Sequence, residues 1–588
     1  MKIGNLLFLL LLPASLAAAD PYIGYLYPAG AQAGTTVRVL VGGQNLQGIR
    51  DGIVPGGGVS IRSITAVPSF PAPDATQRKY LLEWLARIET GNRIAPERPE
   101  KTDSWRKNLW WEKLDQLDLL ERTIVTRNLC VRRNALQATP SLRQMAIVEI
   151  SVAADAEPGA REFRLRGRNG ITAPKLFYVD RAPHTAEPLY VRPGRPKPEF
   201  PLVKQFPAVL DGQIMPGETD RFKLRLCAGK NYTLSLIGRK LQPFIGDAVP
   251  GHFQPVLRLL RPDGSEAAFA DDEGFNPDPV LRFRPDADGD YLLEVRDNLY
   301  RGREDFVYRV AIEPREIPYR FDEEPFTGLP RIQAETAARR ILRADETQVV
   351  SGILSRPGEH VEFRFQAKSG QKIVLDAAAR RFGSPLDGVL RVTGPDGNVL
   401  AEADDSPSDL NIGESLQQVD PYLLLEAPAD GVYRVELRDL TGAGGDTYRY
   451  LLRIGPPRPD FQVYTAKSML NLPRKGTGKL KLHVIRQDGF NGPIQLSADD
   501  PAFRGETTIP ADQNEFTLNI GNSSGKYREP FPVRIEAMAQ IDGKKIRKPV
   551  VPCDEFIQAF AYTHLLPTGE FYVGTVGGAA PGGKKRAK

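Results

Sequence analysis

Cysteine is nearly absent from this chain of 588 residues: Cys130, Cys227 and Cys553 are the only three. They lie in three different predicted domains, so no disulfide framework is expected, and buried single thiols are the simpler reading. Histidine is equally scarce, with His184, His252, His360, His483 and His564. No two stand at metal-ligand spacing, which excludes a His-Glu-x-x-His zinc helix, and no Gly-x-x-x-x-Gly-Lys-Ser/Thr phosphate loop occurs. No apolar run beyond the N-terminus approaches the roughly 20 residues of a transmembrane helix. Neither sign of charge dominates: the formal net charge is +5. Nucleic-acid binding asks for a concentrated basic face, and none is evident. The basic tail Lys584-Lys585-Arg586-Ala-Lys588 follows a Gly-rich stretch and reads as a solvated end.

Proline and glycine, by contrast, are abundant and spread along the chain, 50 and 54 in number, as turn-rich β proteins require. The length calls for several domains. Lys2, the apolar run Leu6 to Leu12 and the small residues Ala17-Ala18-Ala19 form a signal-peptide pattern. Residues 1–19 are therefore expected to be removed on export, leaving a mature start at Asp20 in the periplasm, at the cell surface or in the medium.

One motif occurs twice. Tyr291-Leu-Leu-Glu294-Val-Arg296-Asp297 is matched by Tyr433-Arg-Val-Glu436-Leu-Arg438-Asp439, at an offset of 433 − 291 = 142 residues. Each copy opens with Asp-Gly-x-Tyr, at Asp288 and Asp430, and has a Pro-Asp-Gly turn upstream, at Pro262 and Pro395. Turn-punctuated duplication of this kind predicts tandem β modules. Alternation puts Glu294 and Arg296 on one strand face and Asp297 at the strand end. Cross-strand ion pairs and a turn bond from the aspartate are the expected roles.

Around the duplication the strand pattern is general. Short apolar runs cover 20–72, give way to a Trp- and Leu-bearing stretch with helical spacing at about 75–142, and resume from Ala146. The predicted organisation is a β-sandwich over 20–182 with a helical insertion, a Pro-rich linker 183–199, repeat one over 200–313, a linker 314–330 and repeat two over 331–455. A further immunoglobulin-like sandwich over 456–551 and a C-terminal extension 552–588 complete it. The fold class is thus mainly β: a string of immunoglobulin-like and jelly-roll-like β-sandwiches with one helical insertion.

Tyr27-Pro-Ala-Gly-Ala-Gln-Ala-Gly-Thr-Thr36, Gly42-Gly-Gln-Asn-Leu46 and Ala156 to Arg166 resemble an immunoglobulin-like, TIG-type sandwich of exported planctomycete-like multidomain proteins. Gly217-Glu-Thr-Asp220-Arg-Phe222 with Ala228-Gly229, and Gly358-Glu-His-Val-Glu362-Phe363 with Ser369-Gly370, together with the Asp-Gly-x-Tyr element, resemble the bacterial pre-peptidase C-terminal domain. That resemblance implies a jelly-roll-like sandwich of a kind attached to many secreted peptidases.

Chemistry is sparse. Gly521-Asn-Ser523-Ser-Gly525 fits the nucleophile-elbow pattern, but two prolines follow closely and argue against the helix that an elbow needs. It reads as a hairpin turn. Acidic loops are the remaining site candidates. Asp271, Asp272 and Asp278 in repeat one, and Asp404, Asp405 and Asp420 in repeat two (with Asp409), offer oxygens suited to calcium. Solvated loops and turn-capping aspartates are the competing reading. Relatives of the repeat fold that bind calcium carry an acidic Asn-containing entrance segment, and this chain has Glu187-Pro188 there instead. All four tryptophans, Trp84, Trp105, Trp110 and Trp111, fall in the insertion. Trp84 is expected to pack inward, while neighbours 110 and 111 cannot both do so. The expected function is non-catalytic binding, adhesion or scaffolding outside the cytoplasm, toward a polysaccharide or protein. An accessory role in a secreted peptidase system is the alternative.

Overall fold

The computed structural model describes residues 20–576, apart from 71–72, 99–108, 131–141, 143, 188–199, 242–251, 275, 320–325, 327, 409, 414–416, 474–475, 500–506, 522–528 and 559–561. The expected leader, Trp105, Asp409, the Gly-x-Ser-x-Gly turn at its serine and the basic tail lie outside the described residues. Among those described, no helix is long and apolar enough to cross a membrane.

The molecule is mainly β. In the first sandwich one sheet runs Tyr22–Tyr27, Thr36–Gln44, Gln144–Val152, Val59–Ala66, and the facing sheet is led by Lys175–Asp180 and Gly159–Gly167. The helical insertion leaves from Val59–Ala66 and returns into Gln144–Val152. These strands pair directly, Ala66 opposite Ala146, so the insertion starts and ends at one point of the sheet. Its helices are α1 (Ala75–Glu89), α2 (Leu109–Glu112) and α3 (Leu119–Cys130). Asp74 starts α1 with a capping box closed by Gln77. Trp84 and Trp111 are buried with Leu81, Leu85, Leu114 and Val125 over Tyr25, Tyr27 and Leu40 of the first sheet. Trp110 sits at the flank, edge-on to Phe70 at 6.1 Å.

Repeats one and two share one topology, each with two five-stranded sheets in the same order. In repeat one the motif strand Gly289–Asp297 lies between Asp220–Leu226 and Pro255–Leu260; in repeat two Gly431–Asp439 lies between His360–Ala367 and Gly388–Thr393. Alternation along these strands sends Tyr291, Leu293 and Val295, and Tyr433, Val435 and Leu437, into separate cores. Repeat one begins earlier than its sequence boundary at 200. His184–Ala186 enters its sheet in parallel beside Ala208–Gln213, the place taken by Arg331–Gln333 in repeat two.

The last sandwich extends past 551. Phe571–Val576 inserts between Met469–Pro473 and Phe531–Val533, and Phe571 and Val573 join its core. The hairpin Cys553–Gln558/Tyr562–Pro567 takes Leu410–Ile412 of repeat two as a parallel edge strand. These returns have a common cause: each open sheet edge presents unpaired amides and carbonyls, and a distant segment of the same chain satisfies them.

Candidate functional site: seams and loop tips

The duplicated motif builds a rigid loop in each repeat. The Tyr291 hydroxyl donates to Ala287 O (3.0 Å) and that of Tyr433 to Ala429 O (2.7 Å), fixing the turn before the strand. Asp288 accepts from the Ala228 amide and Asp430 from the Ser369 amide. Glu294 takes Arg221 from one neighbouring strand at 2.8 Å and Arg258 from the other at 3.3 Å. In repeat two the pairs centre on Glu402, with Arg391 at 2.6 Å and Arg438 at 3.7 Å.

Asp297 ends the strand fully buried. Its carboxylate accepts from the amides of Gln254 (3.0 Å), Leu299 (2.9 Å) and Arg301 (3.1 Å), and from the Arg301 guanidinium. Burial works against its charge, and the Arg301 and amide hydrogens outweigh it, holding the carboxyl below its ordinary value. Asp439 does the same for Asp387, Thr441 and Ala443 without an arginine. What these anchors hold up is apolar: Leu299 is 65 % and Tyr300 58 % exposed, and Leu440 of repeat two 47 %. Tyr300 has φ +55°, and the Arg296 guanidinium lies 4.6 Å from its ring centre. A non-glycine residue held at positive φ by a buried carboxylate is a costly way to present an aromatic ring to solvent.

The six aspartates considered for calcium separate into two roles. Asp278 is buried and accepts from the amides of Gly238 (3.0 Å), Arg239 (2.7 Å) and Lys240 (3.0 Å). Asp420 takes the corresponding amides of Arg380 (2.8 Å) and Arg381 (3.2 Å). Each thus caps the 3-10 turn Arg239–Leu241 or Arg380–Phe382. Burial raises Asp278 against the pull of those amides, and pushes Asp420 up to about 6 against the Arg381 guanidinium at 3.4 Å and its amides. Asp271, Asp272, Asp404 and Asp405 are exposed on loops. Among the described residues no group of three or more His, Cys, Asp or Glu is placed to hold a metal ion. The two buried carboxylates are taken up by backbone amides, as in a turn cap, and Asp420 also by the Arg381 guanidinium.

The seams between domains also hold polar clusters, and the sequence carried no sign of them. At the first, Arg127 of α3 donates to Gln213 of repeat one at 2.6 Å, Val307 joins the insertion core, and His184, Asp180, Asp211 and Arg309 cluster. Lys175 on the first sandwich is brought down to about 8 by burial, against the attraction of Asp305 of repeat one and Asp554 of the C-terminal hairpin. At the seam between repeat two and the last sandwich, Asp488 accepts from Arg453 (2.7 and 3.0 Å), Tyr422 Oη (3.0 Å) and the Arg458 amide (2.7 Å).

The last sandwich also docks on the first. Asn471 exchanges hydrogen bonds with the Ile171 backbone, 2.8 and 2.9 Å, and donates to Asp20. Arg164, fully buried, donates to Ser468 Oγ (3.3 Å) and Glu570 O (3.0 Å), with the Tyr572 ring 5.0 Å away. Gly170 makes this approach possible: a Cβ there would lie 2.1 Å from Asn471 Oδ1, and φ is +99°. Gly170→Ala is expected to cost about 1–3 kcal/mol through overpacking and backbone strain. Thermal unfolding of the full chain checks this; an unchanged midpoint would mean the docking is not held at Asn471.

The remaining histidines lie apart from one another, with His360 exposed on its strand. His483 Nε2 lies 2.7 Å from Glu555, His564 Nδ1 lies 3.1 Å from Gly413 O, and His252 packs edge-on against Phe306. Cys227 and Cys553 are unbridged; Cys553 is buried as expected, whereas Cys227 is exposed just past the end of its strand, contrary to that expectation.

No family model matches this sequence, and no curated protein matches it. Solved structures align to parts of it. A protein from Eubacterium rectale described as secreted is 10 % identical, with a TM-score of 0.17, over 35 % of this chain and 77 % of that one. Fibronectin(III)-like modules of Clostridium thermocellum CbhA are 10 % identical at a TM-score of 0.11, over 42 % of this chain and 90 % of that one. The ICAM-5 D1–D4 ectodomain fragment is 12 % identical at a TM-score of 0.11, over 90 % and 98 % of the two chains. TM-scores this low establish no common domain arrangement, and the β-sandwich architecture rests on this chain's own strand pairing.

Proposed function

We propose that this chain is an exported, non-catalytic binding or scaffolding protein that engages an extracytoplasmic polysaccharide or protein through the apolar loop tips of its two repeats, which we take to be of the pre-peptidase C-terminal kind. The observation that carries this reading is the Leu299-Tyr300 tip and its counterpart at Leu440. Both are exposed, and both are pinned from beneath by a buried aspartate. A tip already ordered before contact loses little freedom on binding. Tyrosine and arginine, with tryptophan, are the residue types enriched at the energetic centres of interfaces. The signal-peptide pattern supports action outside the cytoplasm.

The test is a screen of the mature chain against immobilised glycans and matrix proteins, with and without calcium. For any binder found, Tyr300→Ala is expected to weaken binding by about 2 kcal/mol, roughly thirtyfold in Kd, and to leave the melting midpoint within a degree or two. Full affinity in the Tyr300→Ala/Leu440→Ser variant would remove the loop tips as the binding surface.

A further inference from the structure

We propose that His184 is a proton-controlled latch between the first sandwich and repeat one: its ring bridges Asp180, on the last strand of the first sandwich, to Asp211 inside repeat one, and loss of its proton opens that seam. The ring Nδ1 lies 2.7 Å from Asp211 Oδ2 and Nε2 lies 3.1 Å from Asp180 Oδ2. Ionised carboxylates only accept, so both ring nitrogens must carry hydrogen and the ring is the imidazolium. His184 opens the strand that pairs in parallel with Ala208–Gln213, and its side chain reaches back four residues to Asp180. The bridge therefore ties the two domains together across a very short connection, beside the Arg127–Gln213 and Arg309–Asp180 contacts.

The surrounding charges make the bridge sensitive to its proton. Arg309, on the next strand of repeat one, donates to the same Asp180 Oδ2 at 2.5 Å and stacks 4.3 Å from the Tyr178 ring centre. Glu187 is buried just beyond the strand, with Arg127 of α3 at 4.0 Å. With His184 charged, two cations, His184 and Arg309, face the carboxylates of Asp180 and Asp211. With it neutral, a ring lone pair faces a carboxylate oxygen, and Arg309 on Asp180 is the cation that remains. Burial opposes the charged ring, and the hydrogen bonds to Asp180 and Asp211 outweigh that, raising the histidine to about 9. Asp180 moves the other way: burial raises it, and the His184 and Arg309 hydrogens bring it below its ordinary value. A base raised from an ordinary 6.5 contributes fully below pH 6.5, progressively less as pH rises, and nothing above about 9. Asp180 contributes above its ordinary range and fails only in acid. The seam is thus closed at mildly acidic and neutral pH and released in alkali, by a factor on the order of a hundredfold in the closed-to-open ratio.

The chain has only five histidines, so ring resonances can be followed by NMR in the histidine-labelled full protein. One resonance, missing in His184→Gln, should titrate near pH 9, and the small-angle X-ray scattering radius should grow along the same curve. In His184→Gln that pH-dependent growth should be absent. Titration of His184 near pH 6.5, or a radius constant through its titration, would overturn the latch. Should His184→Gln fail to fold, Asp180→Asn serves: it should lower the titration point of His184 by at least a pH unit, and an unchanged point would equally overturn the proposal.

Discussion

Asp488→Ala should lower the stability of the repeat-two/last-sandwich unit by about 3–5 kcal/mol, the cost of breaking a buried ion pair by deleting one partner. Asp488 is 6 % exposed and Arg453 9 %, so water cannot replace the lost contact. The Arg453 guanidinium would keep only Asp376, at 3.3 Å, while Tyr422 Oη and the Arg458 amide would lose their acceptor. Asp488 also sits at φ +51°, which asparagine tolerates and alanine does not. Asp488→Asn separates the two terms, because it keeps the backbone and removes the charge. Each kcal/mol moves the midpoint of a unit of about 150–250 residues by roughly 2–4 °C, so the alanine variant should melt on the order of 10 °C lower. Differential scanning calorimetry should show that drop, with Asp488→Asn between it and the native chain. Equal midpoints for all three would show that the seam carries no stability.

The second large effect is expected at Asp297. Asp297→Ala removes the fully buried carboxylate that three backbone amides and the partly exposed Arg301 guanidinium share, and leaves Arg301 with His252 O at 3.3 Å. The cost should again be about 3–5 kcal/mol. Asp439→Ala strands amides and the Thr441 hydroxyl and no cation, so about 1–3 kcal/mol is expected. The ordering is the test, because strand, loop and burial are otherwise alike in the two repeats. Hydrogen exchange by mass spectrometry should rise over 252–302 in Asp297→Ala more than over 385–444 in Asp439→Ala. An equal or reversed rise would mean that the Arg301 pair contributes nothing beyond the backbone bonds. The acid side is fixed in sign: burial opposes the Asp297 charge, the hydrogens around it prevail, and the lowered carboxyl contributes stability lost as pH falls through its folded value.

The two repeats were legible in the sequence because their signals are local. Asp-Gly turns, the tyrosine that bonds four residues back and the two-residue alternation of Tyr291, Leu293 and Val295 are all written within a few positions. The insertion was legible for the same reason, as a change of period from two to 3.6, and so was the split between Trp110 and Trp111. The acidic loops show the limit of that method. Asp278 and Asp420 look in sequence like members of clusters with Asp271–Asp272 and Asp404–Asp405, yet they turn inward to cap backbone turns about 40 residues upstream. Composition tells how many carboxylates a loop carries and nothing of which amides they meet.

What the sequence by itself determined is therefore each module: its strands, its turns, the alternation that fills its core and the aspartates that end the motif strands. What only the tertiary structure decided is how the modules meet. The His184 bridge, the Asp488 hub, the return of Phe571–Val576 into the last sandwich and the seat of Asn471 against Gly170 join residues that share no pattern or spacing. Asn471 and Ile171 are 300 positions apart, and each is unremarkable in its own segment. A core is specified by repetition along the chain, since every second side chain must be apolar. A seam is specified by single donors and acceptors that become partners only once two finished surfaces touch, and a linear sequence does not record which surfaces those are.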